Sequence, residues 1–474
     1  MASNKRRYIA DTAPPGASAG MHRAARKFRG PVEQFLHMKT SGGIVLLVVS
    51  AIALIWANSP YGHSYHHLWE TPIQIALGSW STSFSLHFII NDGLMTIFFL
   101  VVGLEIKREI IEGELSDLRR AALPIAAALG GMIVPALIYI VLNPQAPASS
   151  GWGVPMATDI AFAVGILTLL GNRVPAALRI LLLALAIIDD LGAILVIAIF
   201  YSSGFNMIGL SIILAGFAIL FSWLRFGIRP GPLYLIPLAV LWVGLHEAGI
   251  HPTLAGVIVG LATPVKAWLS KQQFIAVAQG ALDHFEEASG SHGHDHHSLM
   301  DPIRKIALAG REAVSPVVRG VHEMEIWISF GIMPLFALAN AGVELGGIDF
   351  NADGASMLIL GITLGLALGK PFGVMLMSWL CVRLGLASLP KGVTWGGVFL
   401  IGLTAGIGFT MAIFIAELAF KGQAELLGLG KLSILIATAV AGIASLVFGR
   451  IILKPASPEI ANLSPTEVER STEY

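Results

Sequence analysis

Residues 178 to 200 read LRILLLALAIIDDLGAILVIAIF, an apolar run about as long as the ~20 residues a helix needs to cross a bilayer. In lipid such a segment must satisfy every backbone N–H and C=O internally, which leaves a helix as its fold. Near its centre stand two adjacent acids, Asp189 and Asp190. A carboxylate at that depth costs roughly 2.5–3.5 kcal/mol. The segment therefore has to cross a membrane, and its two charges have to be compensated there. A chain that keeps such a pair is expected to handle cations, protons or both.

Composition supports the same class. Of 474 residues, 55% are hydrophobic and 13% charged, against about 25% charged in soluble domains. The formal net charge is zero, which argues against a nucleic-acid partner. A single cysteine, Cys381, excludes an internal disulfide and reads as a small packed side chain.

The expected fold is an all-α membrane protein of about twelve transmembrane helices with limits near 42–57, 93–112, 121–142, 154–170, 177–201, 206–224, 232–246, 250–265, 326–342, 356–382, 397–420 and 431–453. Basic residues cluster on alternate connections: Lys107, Arg108, Arg119 and Arg120 after the second span, Arg225 and Arg229 after the sixth, Arg383 and Lys391 after the tenth. The intervening loops 58–92, 143–153, 202–205, 247–249 and 343–355 contain no Lys or Arg, and 421–430 has one, Lys421. The positive-inside rule then places both termini in the cytoplasm.

Residues 1–41 form a basic leader and 42–453 the membrane domain, with 454–474 a short polar tail expected to be disordered. The first apolar run superficially resembles a signal peptide, but its polar leader is long, so an uncleaved first span is expected. Residues 268–325 read as a long polar cytoplasmic loop; its SHGHDHH tract (His292, His294, His296, His297) lacks a second ligand set, so it reads as a solvated insert rather than a metal site. The 58–92 loop alternates with period two, Ile73, Ile75, Leu77, then Phe84, Leu86, Phe88 around Gly78-Ser79. That pattern suits an extracytoplasmic β-hairpin with an edge open to a second copy; an irregular loop is the alternative.

Four ionisable groups lie deep in spans: Asp159, Asp189, Asp190 and Lys370. Unpaired they would cost about 10–14 kcal/mol, comparable to the net stability of a whole fold. A structural salt bridge, Asp159 with Lys370, would neutralise one acid and leave two. An exchangeable cation supplies the missing charge, and it competes with protons for the same oxygens. Span four (GWGVPMATDIAFAVG) is interrupted at Pro155, Thr158 and Asp159, and span eleven (GLTAGIGFTMAIF) at Gly402, Gly406 and Gly408. Paired interruptions point to inverted repeats with a transporter site between them, here spans three to five and ten to twelve. The exposed helix ends would be neutralised by Asp159 at positive N-termini and Lys370 at negative C-termini. Small residues that merely let helices approach are the alternative.

The motifs NDGLMTIFFLVVGLEIKREI (91–110), ATDIAFAVG (157–165), LALAIIDDLGAI (183–194), HPTLAGVIVG (251–260), PLFALANAGV (334–343), LGKPFG (368–373) and GIGFTMAIFIA (406–416) resemble the NhaA-type sodium/proton antiporter family, in the family's order through residues 42–453. The resemblance implies that Asp190 is the principal cation ligand and that Asp189 pairs with Lys370 and exchanges that partner for ion and proton. It implies that Thr158 and Asp159 support the site, and that sodium or lithium leaves the cytoplasm for two protons each, with no further cofactor. It also implies a homodimer through the extracytoplasmic hairpin, in a bacterial inner membrane, serving pH and sodium homeostasis. Glu105 and Glu109 match acids at the cytoplasmic funnel, and His251 a histidine linked to pH response. In VHEMEIW, His322 matches while Glu325 and Ile326 depart from the family's histidine and proline, so the family's pH profile is not assumed.

Three other classes compete. A sodium-coupled symporter would need a further polar constellation for an organic solute, and none is seen. A membrane-embedded enzyme would need HExxH, GxSxG or a pair of catalytic acids in separate spans with a Gly-Asp signature, and the spans carry none of these. A proton channel needs acids alone and stays open at this stage.

Overall fold

The computed structural model describes residues 41–453 apart from 78–79, 203, 205, 230, 291–295, 348–349 and 351–353. The basic leader, the tail and most of the His-rich tract lie outside the described residues. The rest is an all-helical membrane domain with one small sheet.

In chain order the helices are α1 (Ser41–Ala57), α2 (Gly62–Glu70), α3 (Leu86–Glu112), α4 (Leu118–Leu142), α5 (Ile160–Leu169), α6 (Ala176–Phe200), α7 (Met207–Phe226), α8 (Leu235–Glu247), α9 (Leu254–Ala262), α10 (Lys271–Gly290), α11 (His296–Glu312), α12 (Pro316–Asn340), α13 (Ala355–Arg383), α14 (Trp395–Ala405), α15 (Phe409–Ala419) and α16 (Ala424–Ile452). Among the described residues, seven helices are long and apolar enough to cross a bilayer, or up to ten if each of three bent pairs is one span. The expected twelve is reached only by adding α8 and α9, whose 13 and 9 residues reach about 20 and 14 Å.

The outer surface is built for lipid. Ile55, Val141, Ile199, Phe221 and Ile451 are each more than two-thirds exposed, an apolar belt that water would penalise. Within the bundle, glycines allow close approach. A side chain at Gly130 of α4 would collide with the Gly373 carbonyl of α13, and one at Gly373 with the Gly130 carbonyl. That backbone contact is the small-residue packing of membrane helices, and it seats the Lys370 helix against α4.

Strands β1 (Pro72–Leu77) and β2 (Trp80–Ser85) pair antiparallel with Ile73 opposite Phe84 and Ile75 opposite Thr82. The alternation expected through Leu86 and Phe88 stops short. Ser85 Oγ accepts from Phe88 N at 3.1 Å and so caps a helix that begins at Leu86; Phe88 instead stacks on Phe84, ring centroids 5.0 Å apart.

The 268–325 stretch also departs from expectation. Within this connection α10 and α11 pack together with Ala281 and Ala309 buried. Pro316 then opens α12, a suitable first-turn residue, about ten residues before the expected span nine. Hydropathy missed this beginning because VHEMEIW is polar.

Two paths leave helical geometry. A 3-10 stretch, Ala148–Met156, is joined to α5 through 157–159 at 44°, and α14 is joined to α15 through 406–408 at 49°. Three helices also carry a π-helical turn: Ile89–Leu94 in α3, Ile328–Ile332 in α12 and Gly365–Gly369 in α13. Such turns recur at functional positions, and the last directly precedes Lys370.

Candidate functional site

The two non-helical links meet and hydrogen-bond through their backbones. Asp159 N donates to Ile407 O at 2.8 Å, and Thr158 Oγ1 lies 3.0 Å from Ala405 O, the last residue of α14. Groups that a continuous helix would satisfy internally are thus paired across the crossing.

Asp159 is the N-cap of α5. Its Oδ1 accepts from Phe162 N at 3.1 Å, and its Oδ2 accepts from Thr410 N at 3.2 Å and Thr410 Oγ1 at 2.5 Å. One carboxylate therefore sits at the N-termini of both α5 and α15, each carrying about half a positive charge.

Lys370 is fully buried. Its Nζ lies 3.0 Å from Asp189 Oδ2 and donates to Met156 O, at the end of the 3-10 stretch, at 2.5 Å. Thr158 Oγ1 donates to the same Asp189 oxygen at 2.7 Å. The Asp159–Lys370 pairing entertained from sequence is corrected by this geometry: Asp159 turns to the helix ends and Thr410, and the ammonium goes to Asp189.

Asp190 is one residue further along α6, about 100° around the helix. It is 2% exposed and, among the described residues, has no hydrogen-bond donor or ion-pair partner. Its carboxylate lines a cavity of about 440 Å³ whose walls also include Thr158, Asp159, Glu105, His322 and Glu325. Asp189 Oδ1 is likewise buried without a hydrogen-bond partner among the described residues.

The charges can be counted. Three carboxylates face one ammonium; Lys370 offsets Asp189 and the helix ends offset Asp159. That leaves Asp190, in a cavity, with nothing fixed to neutralise it. Such a site can take a small cation or a proton and hold either among hard oxygen donors.

Of the residues that the resemblance singles out for pH response, Glu105, His322 and Glu325 converge on this cavity. Glu109 turns away, accepting from Glu114 N at 3.2 Å and lying 3.4 Å from Arg108. His251 is at the other end of α3: its Nε2 is 3.5 Å from Asp92 Oδ1 and its Nδ1 2.7 Å from Thr253 Oγ1. Asp92 and Glu105 are thirteen residues apart, about 20 Å along a helix.

Sequence reading placed Thr410 in an interrupted span without giving it a partner, and it had no signal for the Met156 and Ala405 carbonyls. It also passed over a polar cluster near the hairpin, formed by His87, Asn91, Asn340, Glu417 and Lys431.

Comparison with known proteins finds relatives along nearly the whole chain. The family model described as Na+/H+ antiporter 1 matches residues 33–448. The chain is 54% identical to the Na(+)/H(+) antiporter NhaA 2 of Sorangium cellulosum over 462 residues, covering 98% of each. It is 51% identical to the Na(+)/H(+) antiporter NhaA 2 of Myxococcus xanthus, covering 97% of each. It is 52% identical to the Na(+)/H(+) antiporter NhaA of a Janthinobacterium species, covering 91% of this chain and 95% of that one. A family model matched over residues 33–448 and relatives 51–54% identical along nearly the whole chain make this protein a member of the Na+/H+ antiporter 1 family.

Proposed function

We propose that this chain exchanges sodium or lithium for protons across a bacterial inner membrane, with alternating access to one site and two protons moved per cation. The observation that carries the reading is the unequal environment of two neighbouring acids: Asp189 is tied to Lys370 and Thr158, while Asp190 faces the cavity without a partner.

Asp190 is the cation ligand, assisted by Asp189. A cation entering the cavity draws Asp189 from the ammonium, because the carboxylate cannot serve both at full strength in a dry site. Lys370, still held by the Met156 carbonyl, then sheds its proton, and with the proton displaced from Asp190 two leave for each cation bound. When the cation leaves to the other side, one proton returns to Asp190 and one to Lys370, and the ion pair with Asp189 reforms. Cation and protons never share the oxygens, and that competition is sufficient for coupled exchange. Moving two protons against one cation transfers net charge, so the cycle is electrogenic.

The positive-inside distribution supports cytoplasmic termini, which puts Glu105, His322 and Glu325 at a cytoplasmic entrance and β1–β2 outside. The free edge of that hairpin supports pairing with a second copy. Sodium and pH homeostasis is the physiological role that such an exchange serves.

The test is reconstitution into vesicles with an imposed pH gradient. Added sodium or lithium should dissipate the gradient, and Asp190→Asn should abolish the response. Imposing a membrane potential of either sign should speed or slow the exchange. Proton leak without added cation would favour a channel, and a requirement for an organic solute a symporter.

A further inference from the structure

The exchange site leaves unused the polar cluster at the hairpin end of the bundle. There Glu417 of α15 pairs with Lys431 of α16 at 2.5 Å, and His87 Nε2 at the start of α3 lies 3.7 Å from the same Glu417 oxygen. His87 Nε2 also lies 3.1 Å from Asn340 Oδ1 and 3.2 Å from Asn91 Nδ2, while Asn340 Nδ2 donates to Asn91 Oδ1 at 2.7 Å. One connected cluster thus ties α3, α12, α15 and α16 together. Glu70, Asp92 and Lys421 are the other charged groups acting electrostatically on His87, Glu417 or Asp92 there.

Glu417 is placed to act on the ion site. It is seven residues beyond Thr410, two turns along α15 and on the same face, about 10 Å away. Between them on that face stands Phe414, which is 1% exposed. Its ring centroid lies 5.4 Å from Phe99, 5.5 Å from His251 and 6.2 Å from Phe336. One face of α15 therefore carries, in order, the residue holding Asp159, an apolar plug, and an ion pair at the outer mouth.

We propose that Glu417 is a positioning residue for exchange: its ion pair with Lys431 holds α15 so that Phe414 seals the ion site from the hairpin side while the cavity meets Glu105 and His322. Release of the pair accompanies opening toward the hairpin side. This rests on the alternating-access reading above, and it adds the contact that biases one state over the other. A charge pair that exists in only one of two states shifts their ratio by its differential energy.

The test reads accessibility without transport. In an Ile413→Cys variant, a membrane-impermeant thiol reagent is applied from the hairpin side, and the native Cys381, buried near the opposite end of α13, reports any general loosening to a membrane-permeant thiol reagent in a parallel sample. Adding Glu417→Gln or Lys431→Met should raise the labelling rate at position 413 about tenfold or more, the change expected when an ion pair is lost from one side of a two-state equilibrium, with Cys381 unaffected. The exchanged pair, Glu417→Lys with Lys431→Glu, should restore slow labelling. The ratio of cytoplasmic to external KM for sodium should move with the labelling rate. Unchanged labelling at 413, or a parallel rise at Cys381, would overturn the assignment. If Glu417→Gln does not accumulate, Glu417→Asp keeps the charge at a longer separation and should give an intermediate rate; a rate equal to the parent would also count against the proposal. A parent protein that fails to exchange sodium would refute the proposed function and leave the labelling result standing separately.

Discussion

Asp159 and Thr410 lie 251 residues apart in sequence and meet through a 2.5 Å hydrogen bond at the crossing of two broken helical paths. The threonine donates twice to one carboxylate oxygen, through Oγ1 and through its backbone N. The first residues of α15 are thereby locked to the N-cap of α5, and the walls of the ion cavity are fixed relative to each other.

Thr410→Val keeps the shape and removes the hydroxyl donor. A buried carboxylate that loses one hydrogen bond is expected to cost about 1–3 kcal/mol, seen as a lower Tm in detergent, with Thr410→Ser close to the parent. Equal Tm for the valine and serine variants would show that the bond contributes nothing.

Lys370→Ala strands Asp189 in a dry interior. Removing one partner of a buried pair is expected to cost about 3–5 kcal/mol, and Lys370→Arg should lose less because it keeps the charge. The double variant Lys370→Ala with Asp189→Asn should recover part of the loss. A thermal-melt double-mutant cycle with no coupling between the two positions would contradict the ion pair.

Asp190→Asn should behave oppositely. Asp190 has no fixed partner among the described residues, so neutralising it removes a buried charge. The expected outcome is a Tm equal to or above that of the parent together with loss of cation-driven exchange. Cation binding by calorimetry should vanish as well; retained sodium binding would move the ligand role elsewhere.

Glu105 and Glu109 are one helical turn apart, yet Glu105 alone of the two lines the cavity. Glu105→Gln should raise the apparent KM for sodium several-fold by removing a negative charge from the entrance. Glu109→Gln and His251→Ala should leave that KM near the parent value, since His251 sits about 20 Å away along α3. Initial-rate measurements over a sodium series decide it.

Gly373→Val places a branched side chain against the Gly130 carbonyl. Overpacking of this kind costs about 1–3 kcal/mol or more, and it should displace Lys370 from Asp189. Lower Tm with reduced exchange is expected, whereas Gly385→Ala, in open space but at a positive φ of 72°, should cost stability while sparing exchange.

Much of this was written in the sequence. Apolar length makes residues 176–200 a crossing helix in any tertiary setting, because lipid offers the backbone no other partners. The cost of Asp189 and Asp190 at that depth marks them as functional without knowledge of a single contact. Proline and glycine spacing located both interruptions, since such residues weaken helix locally. Tertiary structure decided the partners. Residue types and spacing do not say which of two acids meets Lys370, which only the family resemblance assigned to Asp189, because the answer depends on where α13 packs, here against α4 at the Gly130–Gly373 approach. Nor does it show that Asp159 serves two helix ends at once, or that Glu105 and His322 share a cavity that Glu109 and His251 do not. The VHEMEIW stretch hid the start of α12 because its polar face lines a cavity rather than lipid. Residue types and periodicity are local properties and can be read along the chain; pairing among buried charges follows from helix crossings, which are decided by packing across hundreds of residues.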